Sequence, residues 1–213
     1  MKRVLRFALI LAAVLCVSSL PTWAGVIFND FGSGYDDNWS AGWTVSGPDS
    51  GVGEYESGML FTAGISGIVS RIDLALGLTG VGDGGATVSL WTDSGGLPGS
   101  MMASWGVTAV LGFGSRCCTV VTINTGAPTL VEGQSYFLVA IADDISWEGW
   151  IWNNQGVNGV LAQNTGGGWN SSGGEPLSAF DILGDPASIP EPATMLLLGA
   201  GLLFVLTRRR AVR

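Results

Sequence analysis

From Ile68 to Leu78 the chain alternates: Ile72, Leu74, Leu76 and Leu78 fall on one face, Arg71, Asp73, Ala75 and Gly77 on the other. A period of two is the signature of a strand with one face buried. Helical periodicity is nearly absent between the two ends of the chain. Further strands are predicted over Ala86 to Trp91, with Val88 and Leu90 inward, and over Met101 to Val110, Thr119 to Ile123, Trp147 to Trp152 and Leu177 to Leu183. Tyr136 to Ala142 is apolar on both faces, as a central strand in a two-layer core must be. Glycine supplies the punctuation, with 34 in the chain: Gly80 to Gly85 and Thr92 to Ser100 read as turns, and Gly166 to Gly174 as a separating segment. Short strands joined by tight turns predict an all-β fold, an antiparallel β-sandwich of jelly-roll-like type.

The two ends carry a different chemistry. Lys2, Arg3 and Arg6 precede the apolar stretch Phe7 to Val17, and Pro21-Thr22-Trp23-Ala24 closes with small residues where a signal peptidase reads. Residues 1–24 are therefore expected to be a helical export signal cut between Ala24 and Gly25. Cys16 is read as part of the apolar stretch, because Leu15 is too bulky for a lipid-attachment motif. At the other end, Pro190-Glu191-Pro192 is followed by the apolar run Ala193 to Leu206, then Thr207 and Arg208-Arg209-Arg210. A helix over about 193–207 is short against the ~20 residues that span a bilayer, but snorkelling arginines extend it. The arginines then act as a cytoplasmic stop, and the prolines lie near the outer face of the inner membrane. Glu191 sits where a carboxylate favours the positive helix end, and Pro192 suits a helix start.

Between these ends roughly 160 residues remain, enough for one domain with a real core, expected over 25–187. The formal net charge of −8 understates the acidity of that body, whose only basic residues are Arg71 and Arg116. Such a surface repels phosphate backbones, so nucleic acid is not an expected partner. The chain has no histidine, which removes Ser-His-Asp and Cys-His catalysis and the commonest zinc ligand. Cys117 and Cys118 are adjacent, with Cα atoms about 3.8 Å apart against the ~4.4–6.8 Å a disulfide usually spans. They read as small apolar residues, with an intermolecular bridge or a strained vicinal disulfide as alternatives.

The tail resembles the PEP-CTERM protein-sorting signal: Pro190-Glu191-Pro192, the apolar run and Arg208-Arg209-Arg210 stand in that order. The resemblance implies an exosortase as partner, beside the signal peptidase and export machinery. It implies a route through the inner membrane of a Gram-negative bacterium to the cell surface or matrix, with exopolysaccharide as the expected neighbour. The body is similar to the choice-of-anchor domains of type R over Glu54 to Gly184. Ser89-Leu90-Trp91-Thr92-Asp93-Ser94-Gly95-Gly96-Leu97-Pro98-Gly99-Ser100, Glu132 to Val139 and Phe180-Asp181-Ile182-Leu183-Gly184 carry that likeness. This resemblance brings no catalytic residue and no cofactor.

Within the body, the nine tryptophans raise the question of a ligand platform. Trp150 and Trp152 share a face of a strand, and with Trp169 they are candidates for stacking on sugar rings; the competing reading is core packing. Asp36-Asp37-Asn38, Asp83 and Asp143-Asp144 are candidate calcium ligands, but none has EF-hand spacing, and solvated loop acids explain them as well. No resident metal is assigned. No carboxylate pair is distinguished by spacing as a glycosidase pair would be. The expectation is an exported non-enzymatic protein, with a glycan-binding module as alternative and a surface hydrolase behind it.

Overall fold

The structure is a computed structural model that describes residues 25–32, 37–108, 112 and 120–186. Strand follows strand along the chain: β1 Gly25–Asn29, β2 Asp37–Ser46, β3 Glu56–Thr62, β4 Gly67–Val81, β5 Gly85–Asp93, β6 Pro98–Thr108, β7 Val120–Asn124, β8 Thr129–Leu130, β9 Ser135–Ala142, β10 Trp147–Asn153, β11 Asn158–Asn164, β12 Trp169–Pro176 and β13 Phe180–Pro186. No helix occurs among the described residues. The helices expected over 1–24 and 193–207 lie outside them, as do Arg116, Cys117 and Cys118.

The strands form two antiparallel sheets. The first has the order β1-β13-β4-β10-β2, with β7 and β8 also pairing with β4; the second runs β12-β11-β3-β9-β5-β6. Their inner faces meet in one core. Ile72, Leu74, Leu76, Trp150, Phe180 and Ile182 come from the first sheet, and Met59, Phe61, Val88, Leu90, Leu138 and Leu161 from the second. Val88 and Leu90 do point inward, each fully buried. Aromatic rings concentrate at the centre, where Phe28 stacks on Phe180 at 4.7 Å and Phe61 meets Phe180 edge-on at 5.7 Å.

Strand β4 corrects one expectation. Its outward face is not solvated: Asp73, Ala75 and Gly77 are buried along with Ile72, Leu74 and Leu76. The cause is a second apolar layer, in which Phe31, Ile151 and Ala179, with Val120 beside them, cover Ala75 on the far side of the sheet. Asp73 is accommodated by Arg71, whose guanidinium pairs with it at 2.8 Å, and by the Thr122 hydroxyl, which donates at 2.6 Å. Strand β9 is central, between β3 and β5. Its outward Phe137 and Val139 are buried under Leu60, Trp91, Val160 and Trp169.

The turns follow the residues. Gly80 near the end of β4, and Gly82 and Gly84 between β4 and β5, adopt positive φ, a region open to glycine at no steric cost. At the β5–β6 hairpin the Asp93 carboxylate accepts the Gly96 N–H at 2.8 Å, closing a side-chain-capped turn. The first and last strands pair, with Gly25 opposite Gly184, so both ends of the domain leave from the same side.

Candidate functional site

The three candidate sugar-stacking residues are not brought together. Trp150 is completely buried between the sheets, its indole N–H donating to the Ala179 carbonyl at 3.3 Å. It has no face to offer a ligand, which corrects its reading as an exposed platform. Trp152 is partly buried against Trp43, with ring centroids 5.5 Å apart. Trp169 belongs to the other sheet, where it opens β12 opposite Asn164 and packs over Phe137 and Val139. A partner that sequence reading did not single out, Trp91, shares that outward face, its N–H held by the Ser89 hydroxyl at 2.7 Å. A period-two count places Trp150 and Trp152 on one face correctly, but it does not tell an inner face from an outer one.

The loop acids gather at the end of the sandwich where β4 turns into β5 and β9 into β10. The Asp83 carboxylate accepts the Gly85 N–H and the Ser146 hydroxyl, each at 3.1 Å, which ties the two turns together. These bonds hold the fully exposed Asp83 carboxyl below its ordinary range, the Gly85 amide contributing most. Asp83, Asp143 and Asp144, with Thr87, Ile141, Ala142 and Ile145, line an open depression of about 490 Å³. Asp143 and Asp144 are exposed, as solvated loop acids are. Among the described residues no three metal-ligating side chains converge. Asp36 and the side chains of Asp37 and Asn38 lie outside the described residues.

Sequence reading missed three buried acids. Glu148 is fully buried on β10, and neither carboxyl oxygen has a hydrogen-bond partner. Burial, with the nearby Asp143 and Asp83 charges adding to it, pushes its carboxyl up to about 8. Asp30, just past β1, is 1% exposed, and burial pushes it to about 8 against the opposing hydrogen bond from Phe180. Asp181, on β13, is 6% exposed; burial raises it to about 6, while the Phe31 amide pulls the other way. The signal for all three is a carboxylate next to an aromatic residue: Phe31 follows Asp30, Trp147 precedes Glu148 and Phe180 precedes Asp181.

The residues expected to direct export and the sorting motif lie on either side of the described domain. Ala24 lies outside the described residues, and Gly25, expected to follow the signal cut, is the first residue of β1. Pro190, Glu191, Pro192, Arg208, Arg209 and Arg210 lie outside the described residues as well. None of the described segments is a helix long and apolar enough to cross a membrane. No curated protein matches the chain. Residues 188–210 match the PEP-CTERM protein-sorting motif, which implies exosortase-dependent sorting to the surface or envelope of a Gram-negative cell.

Proposed function

We propose that this is an exported, non-enzymatic β-sandwich. An exosortase processes it at its PEP-CTERM tail, and the body is displayed at the cell surface or released into an exopolysaccharide matrix. The observation that carries the reading is the match of residues 188–210 to the sorting motif. On this reading Glu191, between Pro190 and Pro192, is the recognition element, the helix over about 193–207 holds the precursor in the inner membrane, and Arg208 to Arg210 stop transfer. The body is assigned to the choice-of-anchor domains of type R, whose members exchange anchoring tails. The lack of any histidine supports a body without hydrolytic apparatus.

Replacing Pro190, Glu191 and Pro192 with alanine tests the sorting step in the native host. The expected result is uncleaved precursor trapped in the inner membrane, with the mature wild-type C-terminus read by mass spectrometry. Mature protein outside the cell that still carries Arg208 to Arg213 overturns the reading.

A glycan-binding role for the body is the second reading, and the placement of Trp91 and Trp169 on one outward face favours it. Tryptophan fluorescence titrated with the host exopolysaccharide tests it. The expected response is lost in Trp169→Ala; an unchanged response in that variant removes the reading.

A further inference from the structure

Asp30 and Asp181 form a reciprocal clasp between the first and last strands. The Asp30 Oδ1 atom accepts the N–H of Phe180 at 2.6 Å, while the Asp30 N–H donates to the Phe180 carbonyl at 3.2 Å. In return the Asp181 carboxylate accepts the N–H of Phe31. Each carboxyl thus has one oxygen pinned by the backbone of the other's neighbour. The second oxygen of each, Asp30 Oδ2 and Asp181 Oδ1, is buried and has no hydrogen-bond partner.

Two buried orphan oxygens on neighbouring carboxyls are costly, because desolvation without compensation disfavours the charged form strongly. Arg71, the one basic side chain among the described residues, pairs with Asp73 at 2.8 Å, and its charge offsets only part of the burial of Asp181. Asp73 stands directly across from Asp181 in the sheet and also takes the Thr122 hydroxyl. A proton on each acid removes the charge but still leaves both orphan oxygens without a hydrogen-bond partner. A cation can bridge a wider gap: with calcium–oxygen distances of ~2.3–2.6 Å, one ion binds two oxygens up to about 5 Å apart.

We propose that Asp30 and Asp181 hold a divalent cation, calcium, that locks β1 onto β13. Two carboxylates neutralise its charge, and backbone carbonyls and water complete the oxygen shell, since no third ligating side chain converges there. Calcium suits a site buried this deeply better than magnesium, which gives up its own waters reluctantly. The ion replaces the missing partners of both orphan oxygens at once. It also ties down the strand that begins at Gly25 and the strand that leads into the tail.

The test uses the full-length chain in detergent, stripped of metal with a chelator. Terbium serves as a luminescent calcium probe, sensitised by Trp150, which is bonded to Ala179 two residues before Asp181. Sensitised emission is expected, displaced by calcium chloride, and millimolar calcium is expected to raise Tm by several degrees. Asp30→Asn and Asp181→Asn should each abolish both responses, because asparagine keeps a backbone-accepting oxygen but loses the charge. The double variant Asp83→Asn with Asp143→Asn should keep them. Should Asp30→Asn not fold, Asp181→Asn and the wild-type comparison with and without calcium still decide. Absence of both responses in the wild-type chain overturns the proposal. Their survival in the Asp181→Asn chain does so too, as does their loss in the double variant alone.

Discussion

The indole of Trp150 reaches across to the Ala179 carbonyl at 3.3 Å while its ring lies 5.9 Å from that of Phe180. One side chain thereby joins β10 to the approach of β13 and fills the middle of the core. It is the largest fully buried side chain among the described residues.

Truncating it should be among the most damaging single changes. Trp150→Ala is expected to cost about 3–5 kcal/mol, the range for deleting a buried large aromatic. Denaturant unfolding of the variant against the parent checks this. A loss below about 1 kcal/mol would mean that the indole does not anchor the core as described.

Stability should fall as pH rises from about 4 to 8 in calcium-free buffer. The Asp30 carboxyl moves from an ordinary 3.8 to about 8 in the fold, and Glu148 from 4.5 to about 8. The folded chain therefore binds more protons than the unfolded chain between those values. The stability they contribute is complete below the ordinary values and is lost as pH climbs through about 8. Each such group adds a slope of at most about 1.4 kcal/mol per pH unit. Asp30→Asn and Glu148→Gln should each flatten the curve, as measured by urea midpoints from pH 5 to 9.

Glycine substitutions should separate close approach from open space. A Cβ at Gly42 would stand 2.6 Å from the Trp150 carbonyl oxygen and 2.9 Å from its carbon, both rigid backbone atoms of β10. Gly42→Ala is expected to cost about 1–3 kcal/mol, as overpacking does. At Gly106 a Cβ meets nothing within 4 Å, so Gly106→Ala should be neutral or slightly stabilising. Thermal melts of the two variants, side by side, decide the point.

The hydroxyl of Ser146 offers a local test of the joined turns. It donates to Asp83 at 3.1 Å, and the Ser146 N–H closes its own turn onto the Asp143 carbonyl at 2.9 Å. Ser146→Ala should cost about 1 kcal/mol, the usual net value of one hydrogen bond, and should leave the Asp143 turn intact. Faster amide exchange confined to residues 82–85 and 143–147 would confirm that the bond couples the two turns.

Strands β4, β5, β6, β7, β9, β10 and β13 lie within a few residues of their predicted spans, because apolar patterning marks them in the sequence. The ones it hid are held by their ladders rather than by side chains. β12 reads Trp-Asn-Ser-Ser-Gly-Gly-Glu-Pro and is exposed through its middle, an edge strand defined by its register with β11. No hydrophobic period marks such a strand. β1, β2, β3 and β11 were also missed, because each is short or interrupted by serine, asparagine or glycine. The same logic governs the site. The sorting motif was readable because it is linear, whereas the Asp30–Asp181 clasp needs residues 151 positions apart to meet.

The pairing of Gly25 with Gly184 has a consequence for how the domain stands. Strand β4 starts beside Pro186 and ends at Val81 beside Trp147, so its 15 residues separate that exit from the acid-lined rim by about 45 Å. On the proposed route both membrane-directed flanks join the body at this one end, which leaves the opposite end pointing away from the bilayer. That opposite end is the rim lined by Asp83 and Asp143.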